Sequence, residues 1–171
     1  MTYEPRPYTG LKDYPAKGKR AGTEYFAATI NYLTGGKIWN NGTYGIRPIR
    51  GGTTPSVHGT GRAVDLSRRN MNTPGKHGMN RTDFLNQVIK PLIDNADLFG
   101  IELVVDYGFG VGGRTWRCDR GTWITQPKGR IAGGGWGDWI HVELDPAHAD
   151  NPKLVQAAWD EIFAGLPKQD A

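Results

Sequence analysis

The sequence predicts an α+β domain, a small antiparallel β-sheet flanked by helices, and three observations carry that prediction. Apolar residues recur at helical spacing in three places: Phe26, Ile30 and Leu33; Phe84, Leu85, Val88, Ile89, Leu92 and Ile93; and Leu154, Val155, Ala158, Trp159 and Ile162. Between these stripes, Arg62 to Ser67, Ile101 to Asp106 and Trp139 to Leu144 alternate, or are rich in branched residues, in the manner of strands. The 171 residues include 25 Gly and 11 Pro and are 37% apolar and 22% charged, which fits one globular domain, residues 1–171, with many turns and long loops.

Taken in order, residues 1–20 read as an extended N-terminal arm, because Pro5, Pro7 and Pro15 stand among Lys12, Lys17, Lys19 and Arg20. The arm is expected to lie on the surface or be partly mobile, with no chemistry of its own. Thr23 caps the first helix and Gly35-Gly36 stops it. Asn40 to Thr43 is a turn cluster, and Tyr44 to Arg50 is a short extended segment interrupted by Pro48. The strand at Arg62 to Ser67 puts Ala63, Asp65 and Ser67 on one face and Val64 and Leu66 on the other. Residues 68–81 form a polar loop containing His77. Thr82 caps the second helix, which Pro91 bends or interrupts and Gly100 closes. Ile101 to Asp106 is a strand, and Thr115 to Cys118 with Thr122 to Thr125 form a hairpin around Asp119-Arg120-Gly121. The glycines of Pro127 to Gly137 predict a mobile loop bordering the site. Trp139 to Leu144 is a strand with Trp139, His141 and Glu143 on one face. The last helix has Asp150 or Asn151 as cap, Pro152 in its first turn and Gly165 as stop.

Charge and cysteine usage exclude several classes. The net charge is +4 and the basic residues form no stripe, so nucleic acid is not an expected partner. No apolar run is long enough to cross a bilayer, and Met1 to Pro7 lacks the apolar stretch of a signal peptide. The single cysteine, Cys118, rules out an intramolecular disulfide and every cysteine-cluster metal site. Nothing suggests an obligate interface, and a monomer is expected.

The chemistry is concentrated in two segments. Ser56-Val57-His58-Gly59-Thr60-Gly61-Arg62-Ala63-Val64-Asp65 carries a histidine on a glycine loop and a carboxylate on the following strand, and Asp138-Trp139-Ile140-His141 adds a second pair. Two His and one Asp supply three ligands, which for zinc leaves a fourth position open to water, as in catalytic sites. His77 and His148 are weaker candidates because neither has a comparable carboxylate partner. Glu143 either orients a ligand or is a solvated strand residue. Tyr107, Trp116, Trp123, Trp136 and Trp139 either line a cleft or belong to the core.

The pattern Ser56-x-His58-x-x-Gly61-Arg62-Ala63-x-Asp65, followed by Asp138-x-x-His141 and preceded by Tyr44-Gly45-Ile46-Arg47-Pro48-Ile49-Arg50, resembles a family of zinc peptidases. That family comprises D-alanyl-D-alanine carboxypeptidases, D-alanyl-D-alanine dipeptidases and L-alanyl-D-glutamate endopeptidases, and hedgehog signalling domains are similar to it in fold. The resemblance implies a hedgehog-like fold, Zn2+ held by His58, Asp65 and His141, and Asp138 as general acid/base, where the family often has Glu. It implies an arginine for the oxyanion, with Arg47 favoured over Arg50, and substrate contacts from Ser56 and Arg50, although Ser56 equally suits a turn or cap. The substrate it implies is the stem peptide of bacterial peptidoglycan. With no signal peptide evident, the expectation is a phage endolysin made in the cytoplasm and acting on the wall after release. Two alternatives stand beside it: a non-catalytic metal-containing wall-binding module of hedgehog-like fold, and a wall glycosidase using Asp138 and Glu143.

Overall fold

The computed structural model describes residues 4–73 and 75–163. Six strands, β1 (Trp39–Gly42), β2 (Ala63–Ser67), β3 (Ile101–Asp106), β4 (Arg114–Arg117), β5 (Trp123–Thr125) and β6 (Trp139–Leu144), form one sheet in the order β1-β2-β6-β3-β4-β5. Every neighbouring pair is antiparallel. β6, last in sequence, therefore lies between β2 and β3 at the centre of the sheet, and His141 sits mid-strand upon it.

The period-two pattern divides the sheet into two unlike faces. Val64, Leu66, Val104, Trp116, Ile140, Val142 and Leu144 are buried on one, where they join Phe26, Ile30, Phe84, Val88, Ile89, Leu92 and Val155 from the helices and Phe99 from the turn before β3. Asp65, His141 and Glu143 occupy the other. The helices are α1 (Ala21–Leu33), a helical run made of α2 (Arg81–Phe84), a π turn (Leu85–Ile89) and α3 (Lys90–Asp94), then α4 (Pro146–Asp150) and α5 (Pro152–Phe163). Among the described residues, no helix is long and apolar enough to cross a membrane.

Several local expectations are corrected. Thr23 does not cap α1: Arg20 stands at the N-cap, and Thr23 is buried inside the helix. Asn80, not Thr82, caps α2, its side chain accepting from the Asp83 N–H. Pro91 does not break the helical run, because the wide turn just before it, closed by Lys90 N–H donating to the Leu85 carbonyl, absorbs the irregularity. The run ends at Asp94, before Gly100, whose left-handed φ of 63° instead turns the chain into β3. Asn40 to Gly42, expected as a turn, belongs to β1, with a bulge between Asn40 and Gly42 after which Gly42 pairs with Asp65. Tyr44 to Arg50 contributes only one isolated bridge, Pro48 to Pro55. Leu154 lies on the exposed side of α5, while Val155 and Ala158 are buried and Trp159 packs on Phe99. The glycine loop before β6 is tied down by Gly135 N–H on the Tyr107 carbonyl and Gly137 N–H on the Gly133 carbonyl. Its Gly134 Cα faces the Gly112 backbone, where a Cβ would sit 2.1 Å from the carbonyl oxygen. The expected stop at Gly165 lies outside the described residues.

The N-terminal arm is packed on the domain, the first of the two states expected of it. Its described part is bound along its length: Arg6 reaches Asp97 and the Ile101 carbonyl, Thr9 donates to Glu102, and Ala16 N–H donates to the Gly59 carbonyl. Arg62, fully buried, donates to Asp13 of the arm, to Glu102 and to the carbonyls of Gly10 and Leu144.

Candidate metal centre

Sheet register explains how two of the three predicted ligands meet. Asp65 and His141 are direct partners across β2 and β6, so their side chains leave the same face as an opposed pair. The third comes from the 3-10 turn Val57–Thr60 just before β2. Ser56 stands at its N-cap, its hydroxyl accepting from His58 N–H, and Gly61 closes it with a left-handed φ of 71°. Gly59 lets the arm press on this turn, since a Cβ there would lie 2.4 Å from Tyr14 Cε2. The turn thus folds His58 back over Asp65.

Ligand atoms of His58, Asp65 and His141 all lie within 4.8 Å of one another. Asp65 Oδ1 is 2.9 Å from His141 Nδ1, and Asp65 Oδ2 is 3.2 Å from His58 Nε2. Tetrahedral zinc with ligands at about 2.0–2.1 Å sets neighbouring donors roughly 3.3 Å apart, close to both separations. The decisive atom is His58 Nε2. It is buried, aimed at the carboxylate, and yet makes no hydrogen bond of acceptable geometry. A buried nitrogen whose one close polar neighbour is so poorly aligned is costly unless something else engages it, and a metal ion would. The donor set therefore fits zinc.

Electrostatics are consistent with that fit. Burial pushes the His58 pKa down, against the pull of the Asp65 carboxylate and with the help of the neighbouring His141, and favours a neutral ring. Burial alone would raise the Asp65 pKa, but contact with His141 and His58 holds it well below the usual carboxylate range. Burial likewise opposes charging of His141, yet hydrogen bonds to Asp65 and Glu143 raise its pKa to about 10 when no metal is present. Glu143 Oε1 lies 3.0 Å from His141 Nε2, and Glu143 is itself buried. Of the two readings of Glu143, the structure gives the orienting contact and not the solvated residue.

The remaining predicted residues are distributed around this trio. Arg47 places Nη2 3.7 Å from Asp65 Oδ2 with about half its side chain exposed, whereas Arg50 stacks over the Trp139 ring at 5.1 Å. Ser56 is buried and acts as a cap in this structure. Asp138 occupies a bend immediately before β6, as Gly137 suggested, but its observed partners are Arg69 at 3.3 Å and His77 at 3.5 Å, not the trio. Arg69 Nε also lies 2.8 Å from Ser67 Oγ, which shares the β2 face of Asp65, so the Asp138 carboxylate lies on the side of the sheet that bears the trio. Arg69, His77, Asp138, Trp136 and Trp139 line a hollow of about 360 Å³. A larger hollow of about 400 Å³ lies beside Arg47, between Tyr14, Ile46 and Pro55.

His148 pairs with Asp145 in α4 and takes no part in the trio. Among the aromatics, Trp116 is core and Trp123 packs against the core, while Tyr107 stacks on Trp139 at 4.5 Å with its pKa raised to about 12 by burial and by the charge of Asp65. Sequence reasoning missed Tyr8, whose hydroxyl donates to Glu143 Oε2 at 2.7 Å. No signal in residues 1–20 identifies it, because the contact depends on how the arm docks. Comparison of the chain with family models, with curated proteins and with solved structures gives no match.

Proposed function

We propose that the chain is a zinc peptidase that hydrolyses an amide bond in the stem peptides of bacterial peptidoglycan, working as an endolysin on the wall after release. The observation that carries the metal reading is the orphaned, buried His58 Nε2, 3.2 Å from a carboxylate that also faces His141. The choice of substrate rests on the resemblance of the two motifs to the wall-peptidase family.

His58, Asp65 and His141 hold the ion. When bound, zinc supplies Lewis acidity, polarising a carbonyl and bringing the pKa of water to about 7. Arg47, half exposed beside Asp65, offers its guanidinium to the negative charge that develops on the carbonyl oxygen during attack. Asp138 takes the proton of the attacking water and returns it to the leaving amine. Arg69 and His77 hold its carboxylate at the rim of the hollow walled by Trp136 and Trp139. Arg50, fixed over Trp139, binds a substrate carboxylate there, and Ser56 acts in binding by setting the His58 turn.

Digestion of purified peptidoglycan, with mass spectrometry of the soluble products, tests the proposal. New amino groups and no new reducing ends are expected. A chelator stops the reaction, zinc restores it, and Asp138→Ala slows it by about 10²–10⁴. Appearance of reducing ends, or digestion indifferent to both chelator and Asp138→Ala, overturns it.

A further inference from the structure

We propose that Tyr8 of the N-terminal arm is a positioning residue for the metal centre, acting through Glu143 to fix the ring of His141 with Nδ1 turned toward Asp65 and His58. This inference rests on the zinc reading above. It begins from an ambiguity in the trio. His141 has a carboxylate at each ring nitrogen, Asp65 Oδ1 at 2.9 Å from Nδ1 and Glu143 Oε1 at 3.0 Å from Nε2. A ligating imidazole gives one nitrogen to the metal and keeps its proton on the other. Only Nδ1 points to Asp65, and Asp65 is the residue His58 Nε2 also faces. Nε2 must then carry the proton and donate it to Glu143.

Glu143 can hold that proton's partner position only if it is itself held. Its second oxygen accepts the Tyr8 hydroxyl at 2.7 Å, so the carboxylate is gripped from both ends in a buried place. The hydroxyl is a dependable donor: burial and the charge of Glu143 push its pKa far above its ordinary value. Tyr8 in turn is fixed by its neighbours. Arg117 lies over its ring at 4.8 Å, and the adjoining Thr9 donates through both N–H and hydroxyl to Glu102. Arg62 then binds Gly10 and Asp13 two and five residues further along the arm. The arm is thus a structural part of the metal centre, 135 residues from Glu143 in sequence but one hydrogen bond away in space.

Zinc affinity of the full chain, measured by competition with a chromophoric chelator, and the visible spectrum of the cobalt-substituted protein test this. Tyr8→Phe keeps the ring and removes only the hydroxyl. It is expected to weaken zinc about 10-fold, within the roughly 10–100-fold range for loss of a group that orients a ligand, and to alter the cobalt spectrum. Glu143→Gln is expected to weaken zinc by at least as much, and Tyr8→Phe added to Glu143→Gln is expected to have no further effect, because the hydroxyl acts through the carboxylate. Metal-free melting temperatures show whether each variant folds. If Tyr8→Phe does not, Glu143→Gln carries the test by itself. Tight zinc binding by the parent with unchanged affinity in Tyr8→Phe, or in Glu143→Gln, overturns the inference and leaves the zinc reading intact. A parent chain that binds no zinc overturns both.

Discussion

Replacement of Arg62 by methionine is expected to cost more than any single contact within the His58, Asp65 and His141 cluster, and the reason is which of its partners can recover. Arg62 is fully buried and serves Asp13, Glu102 and two backbone carbonyls. Asp13 is about a third exposed and can turn to water, but the Glu102 carboxylate, 3.1 Å from Arg62, is sealed in. Stranding one member of a buried pair costs about 3–5 kcal/mol, a large share of the roughly 5–15 kcal/mol that holds a domain together. For a chain of this size that corresponds to a fall in melting temperature of about 6–20 °C. Denaturant unfolding of the metal-free protein is the assay, with Arg62→Met/Glu102→Gln as partner variant, expected to recover much of the loss by removing the stranded charge. The pH dependence has a definite sign. Burial already raises the Glu102 pKa against the pull of Thr9 and Arg62, and losing Arg62 raises it further. A carboxyl whose folded pKa exceeds its unfolded value of about 4.3 binds more protons when folded, so stability falls as pH rises between the two. The deficit of Arg62→Met is therefore larger at pH 7 than near pH 5. A loss below about 1 kcal/mol, the scale of an exposed pair, or no recovery in the double variant, refutes this reasoning.

Three further outcomes follow from individual contacts. Arg47→Ala is expected to keep one zinc per chain while turnover of the stem peptide falls by about 10²–10³, read from metal analysis and steady-state kinetics. Asp145 caps α4, and although burial works against it, contact with His148 holds its pKa below the ordinary value. Its contribution is present above the unfolded value of about 3.9 and is lost as pH falls through the lower folded one, so Asp145→Asn is expected to lose about 0.3–1 kcal/mol at pH 7 and nothing at the acid end of a pH series of unfolding curves. Gly22→Ala would place a Cβ 1.9 Å from the His148 carbonyl oxygen, backbone that cannot swing aside. Separation of α1 from α4 should cost about 1–3 kcal/mol or more in thermal unfolding.

What the sequence reveals and what it hides divide along the two faces of the sheet. β2 and β6 were legible because alternation is a local signal, β3 because branched residues dominate it, and the opposition of Asp65 and His141 to the apolar side was legible too. The hairpin β4–β5 was legible from its turn residues. Helix starts were not, because Thr23 and Thr82 satisfy the capping pattern while α1 starts after Arg20 with no side-chain cap and α2 is capped by Asn80, whose side chain accepts from Asp83 N–H. β1 was hidden for a related reason: Asn40, Asn41 and Gly42 favour turns, yet they lie along an edge where pairing with β2 outweighs propensity. At the site, the structure brings together His58, Asp65 and His141, the residues singled out by motif spacing, and pairs Asp138 with Arg69 and His77 instead. Glu143 was recognised as a candidate but its role stayed open, and Tyr8 was invisible, since neither periodicity nor spacing encodes a contact between chain segments that meet only in the folded state.

That division has a physical consequence for how the site is held. The apolar face of the sheet is closed by helices through burial of surface, a force that is strong but indifferent to direction. Ligands to a metal need direction, to within a few tenths of an ångström and a few degrees, and apolar packing beneath the strands supplies only their starting points. On the opposite face the directional work falls to hydrogen bonds that converge from both ends of the chain: Ser56 on the His58 turn, Glu143 on His141, and Tyr8 on Glu143. Such a network rigidifies only when every member is satisfied, because a half-satisfied buried network costs more than none. Undocking the arm would leave Glu143 with one partner instead of two and expose the pair it forms with His141. The arm therefore has to be as well anchored as the core, which is the role of Arg62, Asp13 and Glu102, and stability and the geometry of the His58, Asp65 and His141 cluster are coupled through residues that precede the first helix.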